Sequence, residues 1–222
     1  MRDDDGPRSL PRRPSPLGGR KPTRADLPGF ATDDPNALDD VLPAPGEAPP
    51  RLLIVGVNPG LWTAAVNAPF ARPGNRFWPA LFRAGLTAHQ IDASRGLSAA
   101  DERQLLERGL GITNLVGRAT VRADELTRDE LIAGAERLKR RVARMRPSAV
   151  AIAGITAYRV AFAAPRARMG RQETGAVPDW PAQVPLWVVP QPSGLNAHET
   201  VDSLAEQWRS VWAGTEPSGS AG

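Results

Sequence analysis

The stretch LLIVGVNPGLWTAAVNAPFARPGNRFW, residues 52–78, decides how the rest of the chain is interpreted. Its first four residues form an apolar run of branched side chains, which predicts a buried strand of a parallel sheet. The strand must end within GVNPG, residues 56–60, because Pro59 cannot donate to a sheet ladder and Gly60 favours a turn. Asn58 is therefore predicted at the carboxyl end of the strand, where open parallel sheets bind ligands.

Two interpretations of this turn are open from its own residues. Asn58 can bond the neighbouring backbone, as Asn often does near Pro and Gly, or it can serve a phosphate or nucleobase site. Neither the G-x-G-x-x-G pattern nor the phosphate loop G-x-x-x-x-G-K-[ST] follows the strand. A second loop, residues 69–74, carries the ring of Phe70, and Asn75 is placed to cap a helix that begins near Arg76.

Two later stretches also place polar residues after predicted strands. GITNLV, residues 111–116, leaves Thr113 and Asn114 at a loop, and LWVV, residues 186–189, leads into PQPSGLN, residues 190–196. The order GVNPG, PFARPGNRFW, GITNLV and PSGL resembles the mismatch-specific uracil/thymine DNA glycosylases of the uracil-DNA glycosylase superfamily. The resemblance covers roughly residues 42–213, and its specificity comes from the order of all the motifs.

The resemblance implies an activity and a set of site residues. Such an enzyme flips a damaged pyrimidine nucleotide out of duplex DNA and hydrolyses its N-glycosidic bond, leaving an abasic site. Asn58 matches the catalytic residue that holds the attacking water, and Phe70 matches the ring that stacks on the base. The implied substrate-binding residues are Val57, Thr63, Phe70, Ala71 and Asn114, and the implied DNA-binding residues are Ser193, Gly194, Leu195 and Asn196.

Several of these residues also have structural alternatives. Taken alone, Phe70 is consistent with a core ring beneath a loop, and Asn114 with a cap at the end of a strand. The backbone amides near Val57, Phe70 and Ala71 are implied to bind the base. Thr63 is expected near the pocket wall, where it would influence whether the methyl group of thymine fits.

The loop after the last strand departs in part from the family pattern. Gly194-Leu195 matches the wedge that fills the gap left by the flipped nucleotide, and Ser193 matches a phosphate contact. However, Gln191 stands where Asn or Met is commoner, and residues 196–198 replace a stretch where an Arg often contacts the opposing guanine. The sequence therefore leaves open the preference for guanine opposite the target base.

The composition limits the chemistry and the partners. The chain has no Cys, which excludes disulfides, Cys-ligated zinc and iron–sulfur clusters, and its two His are far apart in sequence. We therefore predict no metal ion and no cofactor. The net charge of +4 comes almost entirely from Arg, which suits phosphate recognition but also fits a general composition bias.

The partner predicted by the resemblance is double-stranded DNA that contains uracil or a mismatched pyrimidine. No apolar run approaches the length of a membrane span, and the N-terminus has no apolar signal core. We therefore expect no membrane partner, a monomer, and a cytoplasmic location, associated with the nucleoid if the protein is bacterial.

The predicted fold is a three-layer α/β/α sandwich with a mainly parallel central sheet, because four apolar strands alternate with helical patterns. The third of these strands is residues 149–153. Helices are predicted over residues 77–84, 99–108, 127–145, 156–161 and 201–212, and residues 164–185 are predicted as a loop or an irregular hairpin.

Three segments are predicted along the chain. Residues 1–41, rich in Pro, Arg, Asp and Gly, are predicted to form a disordered tail because they cannot bury enough apolar surface. Residues 42–213 are the glycosylase-like domain. Residues 214–222, which are mostly small, are predicted to form a second disordered tail.

Two other functional classes are open from the sequence. A non-catalytic DNA or nucleotide-binding module could use the same fold, but it would not need a water-positioning amide at Asn58. An esterase could use Ser193 with His198, but PSGL lacks the G-x-S-x-G elbow of such enzymes.

Overall fold

A computed structural model of the protein describes residues 12–194 and 196–216. Its central sheet has the strand order β2-β1-β3-β5-β4, in which β4 is antiparallel to β5 and all other neighbours are parallel. The strands are β1 (Leu52–Gly56), β2 (Leu110–Asn114), β3 (Ala149–Ala153), β4 (Gly170–Arg171) and β5 (Leu186–Val189). The α-helices of the described residues are α1 (Leu61–Val66), α2 (Phe77–Arg83), α3 (Ala99–Glu107), α4 (Arg128–Met145), α5 (Ile155–Ala161) and α6 (Val201–Ala213).

The sheet is buried on both faces, which confirms the predicted three-layer sandwich. Successive side chains of a strand point to opposite faces. Leu52 and Ile54 of β1 accordingly pack with residues of α1, α2, α3 and α6, whereas Leu53 and Val55 pack with α4 and α5. This double burial explains why the strands are continuous apolar runs rather than alternating ones.

Local sequence signals account for most helix boundaries. The Thr127 hydroxyl accepts a hydrogen bond from the Glu130 amide, and the Glu130 carboxylate accepts one from the Thr127 amide, so the predicted capping box of α4 is confirmed. The same device opens α3 at Ser98 and α6 at Thr200. The side-chain oxygen of Asn75 accepts from the Phe77 amide at 2.9 Å, but the N-cap of α2 is Arg76, so Asn75 lies one residue before the cap position that was predicted for it.

The two-residue edge strand β4 pairs antiparallel with β5, which fits the irregular hairpin that was one of the two predictions for residues 164–185. Two other features differ from the sequence predictions. β2 ends at Asn114, so Leu115 and Val116 lie beyond the strand. α1 was not predicted, because six residues are too few to display a helical period.

The largest difference concerns residues 12–41, which were predicted to be disordered but lie against the domain. The edge strand β2 exchanges backbone hydrogen bonds of 2.9 and 2.8 Å between Val41 and Ile112. Arg12 forms an ion pair of 2.7 Å with Glu102 of α3. We call residues 12–41 the N-terminal arm. Polar contacts with distant residues hold the arm in place, and a composition-based argument cannot detect such contacts.

Asp39 is the buried centre of the arm's attachment. Its carboxylate accepts hydrogen bonds from the Arg13 amide at 2.7 Å and from the Asn67 side chain at 2.9 Å. Burial opposes ionisation of this carboxyl group, but the bonds from Arg13 and Asn67 outweigh that cost and hold the pKa of Asp39 well below its usual range.

The C-terminal boundary also differs from the prediction in its described part. Thr215 is buried and accepts a hydrogen bond from the Arg51 guanidinium, so the chain stays attached beyond α6. Residues 1–11 and 217–222 lie outside the described part. Among the described helices, none is both long and apolar enough to cross a membrane.

Candidate functional site

A cleft of about 600 Å³ opens at the carboxyl ends of the parallel strands. Such a position follows from the topology, because parallel strands bring the loops after β1, β2 and β5 to one edge. Seven of the residues selected from the sequence line this cleft, namely Val57, Asn58, Thr63, Phe70, Asn114, Ser193 and Asn196. Ala71 and Gly194 are adjacent in sequence to lining residues, and Leu195 lies outside the described residues.

Asn58 is half-buried, and the orientation of its side-chain amide is determined by its neighbours. The Nδ2 group donates to Thr120 Oγ1 at 2.7 Å, to the Pro59 carbonyl at 3.2 Å and to the Arg118 carbonyl at 3.3 Å. The Thr120 hydroxyl donates its only proton to the Arg122 carbonyl at 2.8 Å, so it must act as the acceptor toward Asn58. The amide oxygen of Asn58 is thereby left to accept a hydrogen bond from a molecule in the cleft.

The Thr120 loop, residues 117–122, is bonded both to the turn after β1 and to the start of α4. The Thr120 amide donates to the Pro59 carbonyl at 3.2 Å, which ties the loop to the turn after β1. The Arg118 guanidinium pairs with Glu130 at the start of α4, and this contact lowers the pKa of Glu130 to about 2. The acceptors around Asn58 therefore belong to a loop that is bonded to the turn after β1 and to the start of α4.

Phe70 forms an aromatic wall of the cleft. Its ring stacks on Phe77 of α2 with centroids 3.9 Å apart and an angle of 25° between the ring planes. Its backbone has φ of 54°, a left-handed conformation that bulky residues rarely adopt. Buried contacts must therefore hold this residue in place, and strained positions of this kind cluster at ligand sites.

Gly56 lets two of these groups approach the strand closely. A Cβ atom at this position would lie 2.3 Å from Asn114 Oδ1 and 3.4 Å from the Phe70 ring. The amide of Asn114 and the ring of Phe70 therefore both pass over the end of β1. The sequence placed these residues in separate motifs, and the structure brings them together in one cleft.

The neighbouring residues Thr113 and Thr63 have different surroundings. The Thr113 hydroxyl is buried and accepts a hydrogen bond of 2.6 Å from Arg141, which also bonds Asp40. Thr113 therefore supports the end of β2. Thr63 lies in α1 at 7% exposure, at the wall where the sequence placed it.

Sequence reasoning did not identify Arg118, Thr120 or Arg76 as parts of this site. Arg118 and Thr120 follow β2 without a local motif of their own, and their contacts with Asn58 span about sixty positions of sequence. Arg76 was noted only as the start of a helix, yet its guanidinium bonds carbonyls of the loop after β5. Only the position of each residue next to a recognised motif could have indicated a role.

The cleft offers amide, hydroxyl and aromatic groups rather than a metal centre. Among the residues that the structure describes, no group of three or more His, Asp or Glu side chains could hold a metal ion. The charged side chains at the rim include Arg72 and the ion pair of Arg122 with Asp124. This set can bind a planar polar base and a phosphate backbone.

The fold is that of an α/β protein with a cleft at the carboxyl edge of a parallel sheet. The chain also matches the family model of the uracil DNA glycosylase superfamily over residues 43–212. The protein belongs to that superfamily. Its general activity is accordingly that of a DNA glycosylase, a hydrolase that acts on DNA in repair.

Proposed function

We propose that this protein is a monofunctional, mismatch-specific DNA glycosylase that removes uracil, and related pyrimidines such as mispaired thymine, from duplex DNA. It would act as a monomer and leave an abasic site for base-excision repair. The observation that carries the proposal is the amide of Asn58, whose nitrogen is tied to Thr120, Pro59 and Arg118 while its oxygen is left for a water molecule.

The proposed reaction is hydrolysis of the bond between C1′ of deoxyribose and N1 of the base. As that bond breaks, its electron pair passes to the base, and the water oxygen bonds to C1′. Asn58 Oδ1 orients the water by accepting one of its protons in a hydrogen bond. An amide is a weak base, so the rate must depend mainly on stabilising the departing anion, and turnover should be slow. The proton lost by the water finally neutralises the uracil anion or passes to solvent.

The base-binding part of the cleft is proposed from Phe70 and Asn114. The ring of Phe70 is supported by Phe77 and can stack on a flipped pyrimidine. Asn114 lies beside it and can form hydrogen bonds to the edge of the base. We propose that the backbone amides near Val57, Phe70 and Ala71 bind the anion, and that Thr63 limits the space for the thymine methyl group.

The DNA-binding part is proposed from the loop after β5. Ser193 and Gly194 would contact the DNA backbone, and Leu195 would fill the gap that the flipped nucleotide leaves between the stacked bases. The side chain of Asn196 is engaged inside the loop, where it donates to the Gln191 carbonyl at 3.1 Å and accepts from the His198 amide at 3.3 Å. Its backbone amide also donates within the loop, to the Ser193 carbonyl at 3.0 Å.

A single assay tests the proposal. Labelled duplexes that carry uracil opposite guanine, uracil opposite adenine, or thymine opposite guanine are incubated with the protein, and alkali then cleaves abasic sites. We expect the fastest cleavage for uracil opposite guanine. A protein that binds these duplexes without producing alkali-sensitive sites would be a non-catalytic module.

The assay should also be run in excess chelator. The chain has no Cys and two distant His, so we propose that the reaction needs no metal ion. Full activity is expected after chelation, and activity that is lost with chelator and restored by a divalent metal would contradict this part of the proposal.

A further inference from the structure

In the loop after β5, several backbone carbonyls accept hydrogen bonds from one guanidinium, that of Arg76. Arg76 Nη1 donates to the Asn196 carbonyl at 2.9 Å and to the Ser193 carbonyl at 3.2 Å, and Nη2 approaches the Gly194 carbonyl at 3.5 Å. The backbone amide of Arg76 donates to the Pro192 carbonyl at 2.9 Å. Four carbonyls of residues 192–196 therefore converge on one residue at the start of α2.

A close backbone approach fixes the same loop from another side. A Cβ atom on Gly194 would lie 2.7 Å from the carbonyl oxygen of Gly74. The loop that precedes α2 and the loop that follows β5 are thus in close backbone contact. Arg76, at the end of the first loop, donates hydrogen bonds to carbonyls of the second. The backbone of the second loop is therefore held by contacts with the segment that precedes α2.

We propose that Arg76 is a positioning residue that holds residues 192–194 and 196 in the shape used for insertion into DNA before DNA is bound. The proposal rests on the proposed function, in which this loop replaces the flipped nucleotide. A loop that is already ordered loses less conformational freedom when it enters the duplex, so more of its contact energy favours the flipped state. Hydrogen bonds from a charged donor are stronger than neutral ones, which suits a guanidinium to this task.

The geometry requires Arg rather than any cation. The planar guanidinium reaches several carbonyls at once through a rigid set of donors, whereas the ammonium group of Lys is a point charge on a flexible stem. Arg76→Lys keeps the positive charge near the DNA but loses the planar set of guanidinium donors. Arg76→Gln removes the charge and most donors, and it leaves the backbone bond to Pro192 in place.

The test compares two duplexes that differ in the cost of flipping. In one, uracil lies opposite guanine; in the other, it lies opposite a tetrahydrofuran abasic site, where no base pair must be broken. Single-turnover rates are measured at saturating protein for the parent, both Arg76 variants and the control Arg83→Gln. Arg83 lies in the same helix, but it is exposed and pairs only with Asp202 among the described acidic residues.

We expect Arg76→Gln to slow excision opposite guanine by about tenfold to a hundredfold, as loss of charge-assisted hydrogen bonds commonly does. Opposite the abasic site the loss should be several-fold smaller. Arg76→Lys should fall between the parent and Arg76→Gln, and Arg83→Gln should match the parent on both duplexes. Melting temperatures report separately on folding.

Three results would overturn the role of Arg76. The first is a parental rate in Arg76→Gln, and the second is an equal loss of rate on both duplexes. The third is a parental rate in Arg76→Lys, which would show that only the positive charge matters, as in a simple phosphate contact. If the parent excises from neither duplex, the proposed function fails instead. Extrusion is then measured by 2-aminopurine fluorescence beside 2′-fluoro-deoxyuridine, and a parental signal in Arg76→Gln would again reject the inference.

Discussion

The loops after β1 and β5 meet in the same cleft, but they are fixed in opposite ways. In the loop after β1, backbone carbonyls and a hydroxyl hold one side chain, that of Asn58. In the loop after β5, one side chain, that of Arg76, holds a run of backbone carbonyls. The first arrangement orients a single functional group, and the second holds the backbone of a loop.

This difference corresponds to two steps of the proposed reaction. Orientation of water is a local task that depends on the direction of one amide oxygen. Stabilisation of a flipped nucleotide depends on the conformation of the whole loop, because the loop must fit between the stacked bases. We therefore expect substitutions in the first loop to affect cleavage and those in the second to affect flipping.

The largest effect is expected from Asn58→Ala. Loss of the water-orienting amide should reduce the single-turnover rate by roughly a thousandfold, within the range for groups that act on a proton in the transition state. Binding to a duplex with an uncleavable uracil analogue should remain within a few fold. If binding and cleavage fell by the same factor, Asn58 would be a structural residue, and the contrast between the two loops would disappear.

A smaller effect is expected from Leu195→Ala in the second loop. Burial of a Leu side chain in the vacated stack is worth roughly 1.5–3 kcal/mol, which corresponds to about a tenfold to hundredfold change in the flipped population. Single-turnover excision should slow by that factor, and the complex with the abasic product should loosen. Rates equal to those of the parent at saturating protein would show that Leu195 does not act as a wedge.

Thr120→Val tests how the Asn58 amide is held in the first loop. The substitution keeps the shape of the side chain but removes the acceptor for Asn58 Nδ2 and the donor to the Arg122 carbonyl. Excision should slow by about threefold to tenfold, because a neutral hydrogen bond contributes about 0.5–1.5 kcal/mol. The loss should be similar for uracil opposite guanine and opposite an abasic site, unlike the loss expected for Arg76→Gln.

The smallest effect on catalysis is expected from Asp39→Asn, which changes the attachment of the N-terminal arm. At neutral pH this variant should melt about 2–8 °C below the parent, because buried bonds to Arg13 and Asn67 are weakened. The excision rate should change less than in any variant above. A melting temperature equal to that of the parent would show that the arm adds nothing to stability.

The pH dependence of the same variant tests the carboxylate directly. The folded pKa of Asp39 lies below its unfolded value of about 3.9, so its stabilising contribution is complete above that pH. The contribution is lost as the pH falls from there through the folded pKa. The difference in melting temperature between parent and Asp39→Asn should therefore be constant near neutrality and narrow below about pH 4. A difference that persists unchanged below that pH would exclude ionisation as its source.

The contrast between the two loops also separates what could be predicted from what could not. Both loops were found from the sequence, because each follows an apolar strand and carries Pro and Gly. The residues that hold each loop in place by hydrogen bonds were not predicted from the sequence. Thr120 and Arg118 lie about sixty positions from Asn58, and Arg76 lies more than a hundred positions before the carbonyls that it binds.

The sequence by itself determined the four apolar parallel strands, the capping box of α4 and the presence of Asn58 and Phe70 beside the carboxyl edge. Each of these depends on interactions within a few residues or on the burial of an uninterrupted apolar run. Only the tertiary structure decided which way the Asn58 amide faces, how Arg76 shapes the loop after β5, and where the N-terminal arm lies. These features depend on hydrogen bonds between distant segments, and such bonds exist only after the sheet and its helices have brought those segments together.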